Sequence, residues 1–132
     1  MPAPIAVRAC VRGCLPIDFE KNNQFHEVSQ YKSYEAKQIL GEDAQVCAAF
    51  QNISHEHLLN DEEIECDVLV TGTSKEARAE ALRLVEAAGL TGWDAGPLEN
   101  SVVIEGLTSV RIGINKKYGS THAGIKITGV ER

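Results

Sequence analysis

The sequence predicts an α/β fold: a small, mostly parallel sheet with strands near 45–50, 66–71 and 90–95, a crossover helix at 74–88 and a long C-terminal helix near 98–117. Three observations lead there. Residues 45–50 and 66–71 are short apolar runs bounded by turn residues, the pattern of buried strands. Residues 73–89 carry a helix start signal, an apolar face and a glycine stop. The order strand, loop, strand, helix, strand over 45–95 fits a parallel pair joined by a crossover helix. The chain of 132 residues suits a single domain, and 43% hydrophobic with 24% charged residues excludes the disordered and low-complexity classes.

Taken in order, residues 5–11 read as a strand and 12–31 as loop, with Gly13 and Pro16. Ser33 suits the N-cap of a short helix over 34–40, stopped by Gly41. Residues 54–63 are polar and acidic, hence loop or a helical turn. The second strand ends at Gly72. Thr73-Ser74-Lys75-Glu76 then reads as a capping box, in which a hydroxyl accepts a helical N–H and the glutamate reaches back. Ala77, Ala81, Leu84, Val85 and Ala88 keep one helical face apolar up to Gly89. Pro97 suits the first turn of the long helix, where its missing N–H costs nothing. Along that helix Val103, Leu107, Val110, Ile114 and Tyr118 fall at helical spacing, and Ile104 and Ile112 widen the stripe. This is more apolar perimeter than a small domain covers, and Gly106 and Gly113 on one side admit close packing, so a homodimer through the helix is expected. Residues 119–124 read as a small-residue loop and 125–128 as a strand-like end.

Charge is unevenly spread. Residues 1–41 hold five basic and four acidic residues, 42–105 hold three and fourteen, and 106–132 hold five and one. The acidic middle repels nucleic acid and anionic membranes. The basic end (Arg111, Lys116, Lys117, Lys126, Arg132) suits either a small anionic ligand or plain solvation of a helix end. No apolar run reaches the roughly 18 residues of a membrane helix, and the N-terminus lacks a signal peptide's basic-then-apolar build. With no export signal, Cys10, Cys14, Cys47 and Cys66 are expected to be free thiols in the cytoplasm. Cys10 and Cys14 are spaced C-x3-C, and His55 with His57 lacks a spaced cysteine pair, so no metal site is expected. No pairing of carboxylates, and no Ser/His/Asp or Cys/His arrangement, proposes a catalytic residue. The Glu62-Glu63-Ile64-Glu65 cluster reads as solvated loop, and His26, His55, His57 and His122 need not be general bases.

The most specific segment is Asp94-Ala95-Gly96-Pro97-Leu98-Glu99-Asn100-Ser101, with Glu105-Gly106-Leu107-Thr108 after it. It reads as strand end, tight glycine turn and proline-initiated helix. A helix N-terminus at the carboxyl end of a strand is a common ligand position in α/β proteins, although the same turn can serve only to join strand to helix. With it, in order, stand Cys14-Leu15-Pro16, Ser33-Tyr34-Glu35-Ala36, Val46-Cys47-Ala48-Ala49-Phe50-Gln51-Asn52-Ile53-Ser54, Asp67-Val68-Leu69-Val70-Thr71-Gly72, Ile114-Asn115-Lys116-Lys117-Tyr118 and Ala123-Gly124-Ile125-Lys126-Ile127-Thr128-Gly129. Residues 14–129 thereby resemble the C-terminal part of the NADPH:coenzyme F420 oxidoreductases, the F420-dependent NADP reductases. Residues 1–13 would be a variable extension or residual strand of the same single domain.

The resemblance implies hydride transfer between a nicotinamide and the deazaflavin F420, with the protein supplying position and electrostatics. It places F420 binding at the turn Gln51, Asn52, Ile53 and Ser54, with Gly96, Pro97 and Leu98 as a second group. Lys116, Lys117 and Lys126 would offset the cofactor's phosphate and glutamate tail. Two departures stand out. Gln51 and Asn52 replace the histidine and threonine of the family pattern. No G-x-G-x-x-G occurs anywhere in the sequence, so NADP requires a nucleotide-binding domain or subunit supplied in trans. The alternative expectation is a non-enzymatic α/β module derived from the family, dimerising or binding a ligand without turnover.

Overall fold

The protein is described by a computed structural model covering residues 5–9, 37–53 and 63–132. Strands β1 (Ile5–Ala9), β2 (Gln45–Ala49), β3 (Asp67–Gly72) and β4 (Thr91–Pro97) form one sheet in that spatial order. β1 pairs parallel with β2, and β3 with β4. The middle pairing is antiparallel, with Cys47 opposite Gly72 and Ala48 opposite Thr71. The sheet is thus mixed, with two of its three pairings parallel. The readings at Cys10, Cys14, residues 12–31, Ser33, Ser54, His55, His57 and Glu62 lie outside the described residues. Residues 37–40 are helical and close at Gly41, whose N–H bonds Lys37 O at 3.0 Å with φ of 95°.

Helix α1 (Lys75–Ala87) joins the parallel pair β3 and β4. Its start differs by one residue from the capping box read at 73–76. Ser74 is the N-cap: its Oγ accepts from Ala77 N at 3.1 Å and donates to Gln45 Oε1 at 2.5 Å. Thr73 Oγ1 instead accepts from Val46 N at 3.1 Å, fastening the helix entry to β2. Glu76 therefore falls one position early for the reciprocal bond of a capping box. Ala77, Ala81 and Val85 face the sheet and are fully buried. Gly92 of β4 lies so close beneath the helix that an added Cβ would meet Leu82 Cδ2 at 2.7 Å and Val85 Cγ1 at 3.0 Å.

Both faces of β2 are covered, as its unbroken apolar run requires. Cys47 and Ala49 join Val68, Val70 and the buried side of α1 in the main core. Val46 and Ala48 point the other way and pack with Leu98. The second helix, α2 (Ser101–Tyr118), is preceded by a 3-10 turn, Leu98–Asn100. Pro97 is the last residue of β4 and extended (φ −66°, ψ 162°), so it opens this turn and not the α-helix itself. Gly119 ends α2 in the left-handed region at φ 67°.

Residues 125–128 do not form a strand. They belong to an irregular tail that crosses the start of β3. Asp67 N donates to Ile125 O at 2.7 Å, and Asp67 Oδ2 accepts from Ile127 N at 2.8 Å and from Trp93 Nε1 at 2.9 Å. At the chain end the Arg132 guanidinium covers the Trp93 ring, 5.0 Å from its centroid, and donates to Gly92 O. A side-chain carboxylate replaces the ladder partner that a strand would have supplied, a substitution that apolar periodicity does not encode. No helix among the described residues is long and apolar enough to cross a membrane.

Candidate functional site

β2 ends abruptly. Phe50 adopts φ of 64°, the left-handed region that a bulky residue rarely enters, and turns the chain off the sheet. The turn carries Gln51, Asn52 and Ile53 inward, all at most 4% exposed. Helix α2 closes over it. Thr108 Oγ1 lies 2.9 Å from Gln51 O and 3.3 Å from Asn52 Oδ1, and Arg111 Nη1 donates to Asn52 O. Gln51 Oε1 and Asn52 Nδ2 are buried with no hydrogen-bond partner among the described residues. Beside the turn is a cavity of about 400 Å³ lined by Asn52, Glu63, Glu65, Cys66, His122 and Gly124, among others. Gly124 is pressed against the cavity's thiol residue: a Cβ there would lie 2.6 Å from Cys66 Cβ.

The structure separates the expected site residues into two groups. Because β2 and β3 run antiparallel, the Gln51–Ile53 turn sits at the Asp67 end of β3, whereas Pro97 pairs with Gly72 at the other end. Through Gly72, Pro97 is level with Cys47, four strand steps of roughly 3.3 Å short of Gln51, which puts Pro97 about 13 Å from the turn along the strand. That turn is self-contained: Gly96 N donates to Asp94 Oδ1 at 2.9 Å, Asn100 Nδ2 donates to Ala95 O at 2.8 Å, and Leu98 is 2% exposed in the core. These contacts join the end of β4 to the 3-10 turn before α2. Lys116, Lys117 and Lys126 are exposed. The first two stand in the last turn of α2, where cations offset the helix dipole, and Lys117 Nζ lies 5.7 Å from the Tyr118 ring centroid. Two further members of the basic end, Arg111 and Arg132, are engaged by the backbone carbonyls of Asn52 and Gly92. Thr108 and Arg111 are the contributors that site reading by motif position passed over. Their signal was present: Thr108 is one helical heptad beyond Ser101 and three residues beyond Glu105, all buried on one polar stripe of α2.

That stripe has a consequence for the opposite face. With Ser101, Glu105, Thr108 and Ser109 turned inward, α2 shows Val103, Val110, Ile112, Ile114 and Tyr118 to solvent at 38–72% exposure. The thiols are of the inert kind. Burial pushes Cys47 up to about 11 against the pull of Arg78, and burial likewise raises Cys66. Both are free, and no cluster of three or more metal-ligating side chains occurs among the described residues.

The fold and site define a small α/β domain in which a buried polar turn, clamped by a helix, borders a cavity. The comparisons give that class a family. The chain is 38% identical to the F420-dependent NADP reductase of Methanocaldococcus jannaschii over 99 residues, which is 74% of this chain and 44% of that protein. It is 35% identical over 97 residues to the enzyme of the same name from Methanothermobacter thermautotrophicus, covering 72% of this chain and 42% of that one. A crystal structure from Arthrobacter sp. FB24, assigned as an F420-dependent NADP reductase, superposes with a TM-score of 0.62 at 21% identity, over 70% of this chain and 43% of that one. No protein-family model matches. The chain is a homologue of the F420-dependent NADP reductases along about three quarters of its length, and it spans less than half the length of these relatives.

Proposed function

We propose that this chain is the F420-binding portion of an F420-dependent NADP reductase-like oxidoreductase, with the deazaflavin held at the Gln51–Ile53 turn. The observation that carries the reading is the turn itself: two buried amide atoms, Gln51 Oε1 and Asn52 Nδ2, without partners among the described residues, next to a cavity, in a segment homologous to F420-dependent NADP reductases. An unsatisfied buried polar group costs about 1–3 kcal/mol, so a turn that keeps two of them is suited to a polar ligand. These residues fit a hydrogen-bonding ring. When bound, F420 would supply the hydride chemistry, and the chain's own groups would orient it and exclude water. The exposed Lys116, Lys117 and Lys126 would meet its anionic tail. The residues present do not fit NADP, because the sequence has no glycine-rich turn to cradle a pyrophosphate. The nicotinamide would be presented by a nucleotide-binding domain or subunit in trans.

The exposed apolar stripe of α2 supports a second element of the proposal, a homodimer through that helix. It is also the observation that favours the alternative, a non-enzymatic dimerising module of the same descent. Titration of coenzyme F420, followed by its fluorescence, separates the two. Saturable binding that weakens in Asn52→Leu supports the cofactor portion, and no saturable binding at millimolar cofactor supports the module.

A further inference from the structure

We infer that Thr108 is a positioning residue that fixes which end of the Asn52 carboxamide faces the ligand, so that the carbonyl oxygen and not the amino group is presented. The inference rests on the reading of the Gln51–Ile53 turn as a ligand contact. A threonine hydroxyl has one proton to give and lone pairs to accept with. Thr108 Oγ1 has two oxygen neighbours as placed, Gln51 O at 2.9 Å and Asn52 Oδ1 at 3.3 Å, and its single proton cannot serve both. The shorter contact takes the proton, because Gln51 O is a fixed backbone acceptor. The longer one is then satisfied only if the carboxamide is turned over, so that the Asn52 amino group donates to Thr108 Oγ1. The two ends of a carboxamide are nearly equal in size, so the hydrogen-bond network decides which way it faces.

Turning the carboxamide over changes what the site offers. As placed, the unpartnered atom is the amino nitrogen Nδ2. Turned over, the carbonyl oxygen occupies that position, and the relay runs from the Asn52 amino group to the Thr108 hydroxyl to Gln51 O. The site then asks for a ligand group that donates, an N–H or O–H. Arg111, which donates to Asn52 O, holds the backbone of the same residue and leaves the carboxamide as the variable element. All three of Gln51, Asn52 and Thr108 are at most 4% exposed, so water competes poorly for the relay.

The test uses the whole chain, with and without coenzyme F420. NMR of the Asn52 side-chain amide reads its orientation directly in the free protein. The expected result is a nuclear Overhauser effect between the Asn52 amide protons and the Thr108 side chain, kept in Thr108→Ser and abolished in Thr108→Val. F420 affinity should fall about tenfold in Thr108→Val and stay near wild type in Thr108→Ser, the scale of one hydrogen bond. Amide protons remote from Thr108 in the wild type would overturn the orientation. Unchanged F420 affinity in a folded Thr108→Val that shows no such Overhauser effect would overturn the positioning role. If the wild type binds no F420, the proposed function fails, while the NMR arm still decides the orientation.

Discussion

Asp67 is the residue on which the C-terminal tail depends. One of its carboxylate oxygens takes the Trp93 indole N–H at 2.9 Å and the Ile127 backbone N–H at 2.8 Å, in a site only 6% exposed. Asp67→Ala removes the shared acceptor and leaves both donors behind. Hydrogen bonds to a charged group contribute about 1.5–3 kcal/mol each, and the indole of Trp93 is partly exposed and can recruit water, so the expected loss is about 3 kcal/mol. With a urea slope near 1.5 kcal/mol/M, the unfolding midpoint should move down by about 2 M. Asp67→Asn keeps an acceptor in place and should lose about half as much. Trp93 is the chain's only tryptophan, so its fluorescence reports both the unfolding and the state of the bond. The tail also supplies His122 and Gly124 to the cavity beside Asn52, and loosening it should weaken ligand binding in proportion. A loss below about 0.5 kcal/mol in Asp67→Ala, the range of an ordinary surface change, would refute the role given to this carboxylate.

Other outcomes follow from the packing. Gly92→Ala forces a methyl group against Leu82 and Val85 of α1 and should destabilise the fold by about 1–3 kcal/mol, read by thermal or urea melts. Ser74→Ala removes the N-cap of α1 and should cost about 1 kcal/mol on the same assay. The Cys47 thiol, raised in the fold from 9.0 to about 11, holds its proton more tightly when folded than when unfolded. Its contribution is therefore full below pH 9 and is lost as pH rises from 9 to about 11, so stability should decline over that window and recover in Cys47→Ala. At neutral pH, iodoacetamide should label Cys47 and Cys66 far more slowly in the native protein than in urea, as peptide mapping would record. Light scattering should give a dimer mass for the wild type and a monomer for Val110→Asp, which puts a charge in the exposed stripe of α2.

Much of the fold was legible because its elements advertise themselves chemically. The alternation of Val46 and Ala48 against Cys47 and Ala49 declares a strand buried on both faces, and Ala77, Ala81 and Val85 declare the face of α1. The antiparallel β2–β3 pairing was not legible, because short apolar runs carry no direction. The placing of the two candidate turns has the same origin: β2 runs antiparallel to β3 and β4 parallel to it, so the turns that follow β2 and β4 leave the sheet at opposite ends. The polar inner stripe of α2 was missed for a different reason. Val103, Val110, Ile114 and Tyr118 form so regular an apolar row that it dominates the helix pattern, whereas the fold turns Ser101, Glu105 and Thr108 inward to meet the polar turn.

The central claim is that the Gln51–Ile53 turn of this chain holds coenzyme F420. Titrating F420 into the wild type and into Asn52→Leu, with cofactor fluorescence as the signal, tests it most directly. The account predicts saturable binding to the wild type, weakened at least tenfold in a folded Asn52→Leu. Equal affinity in the two proteins, or no saturation at millimolar cofactor, would contradict it.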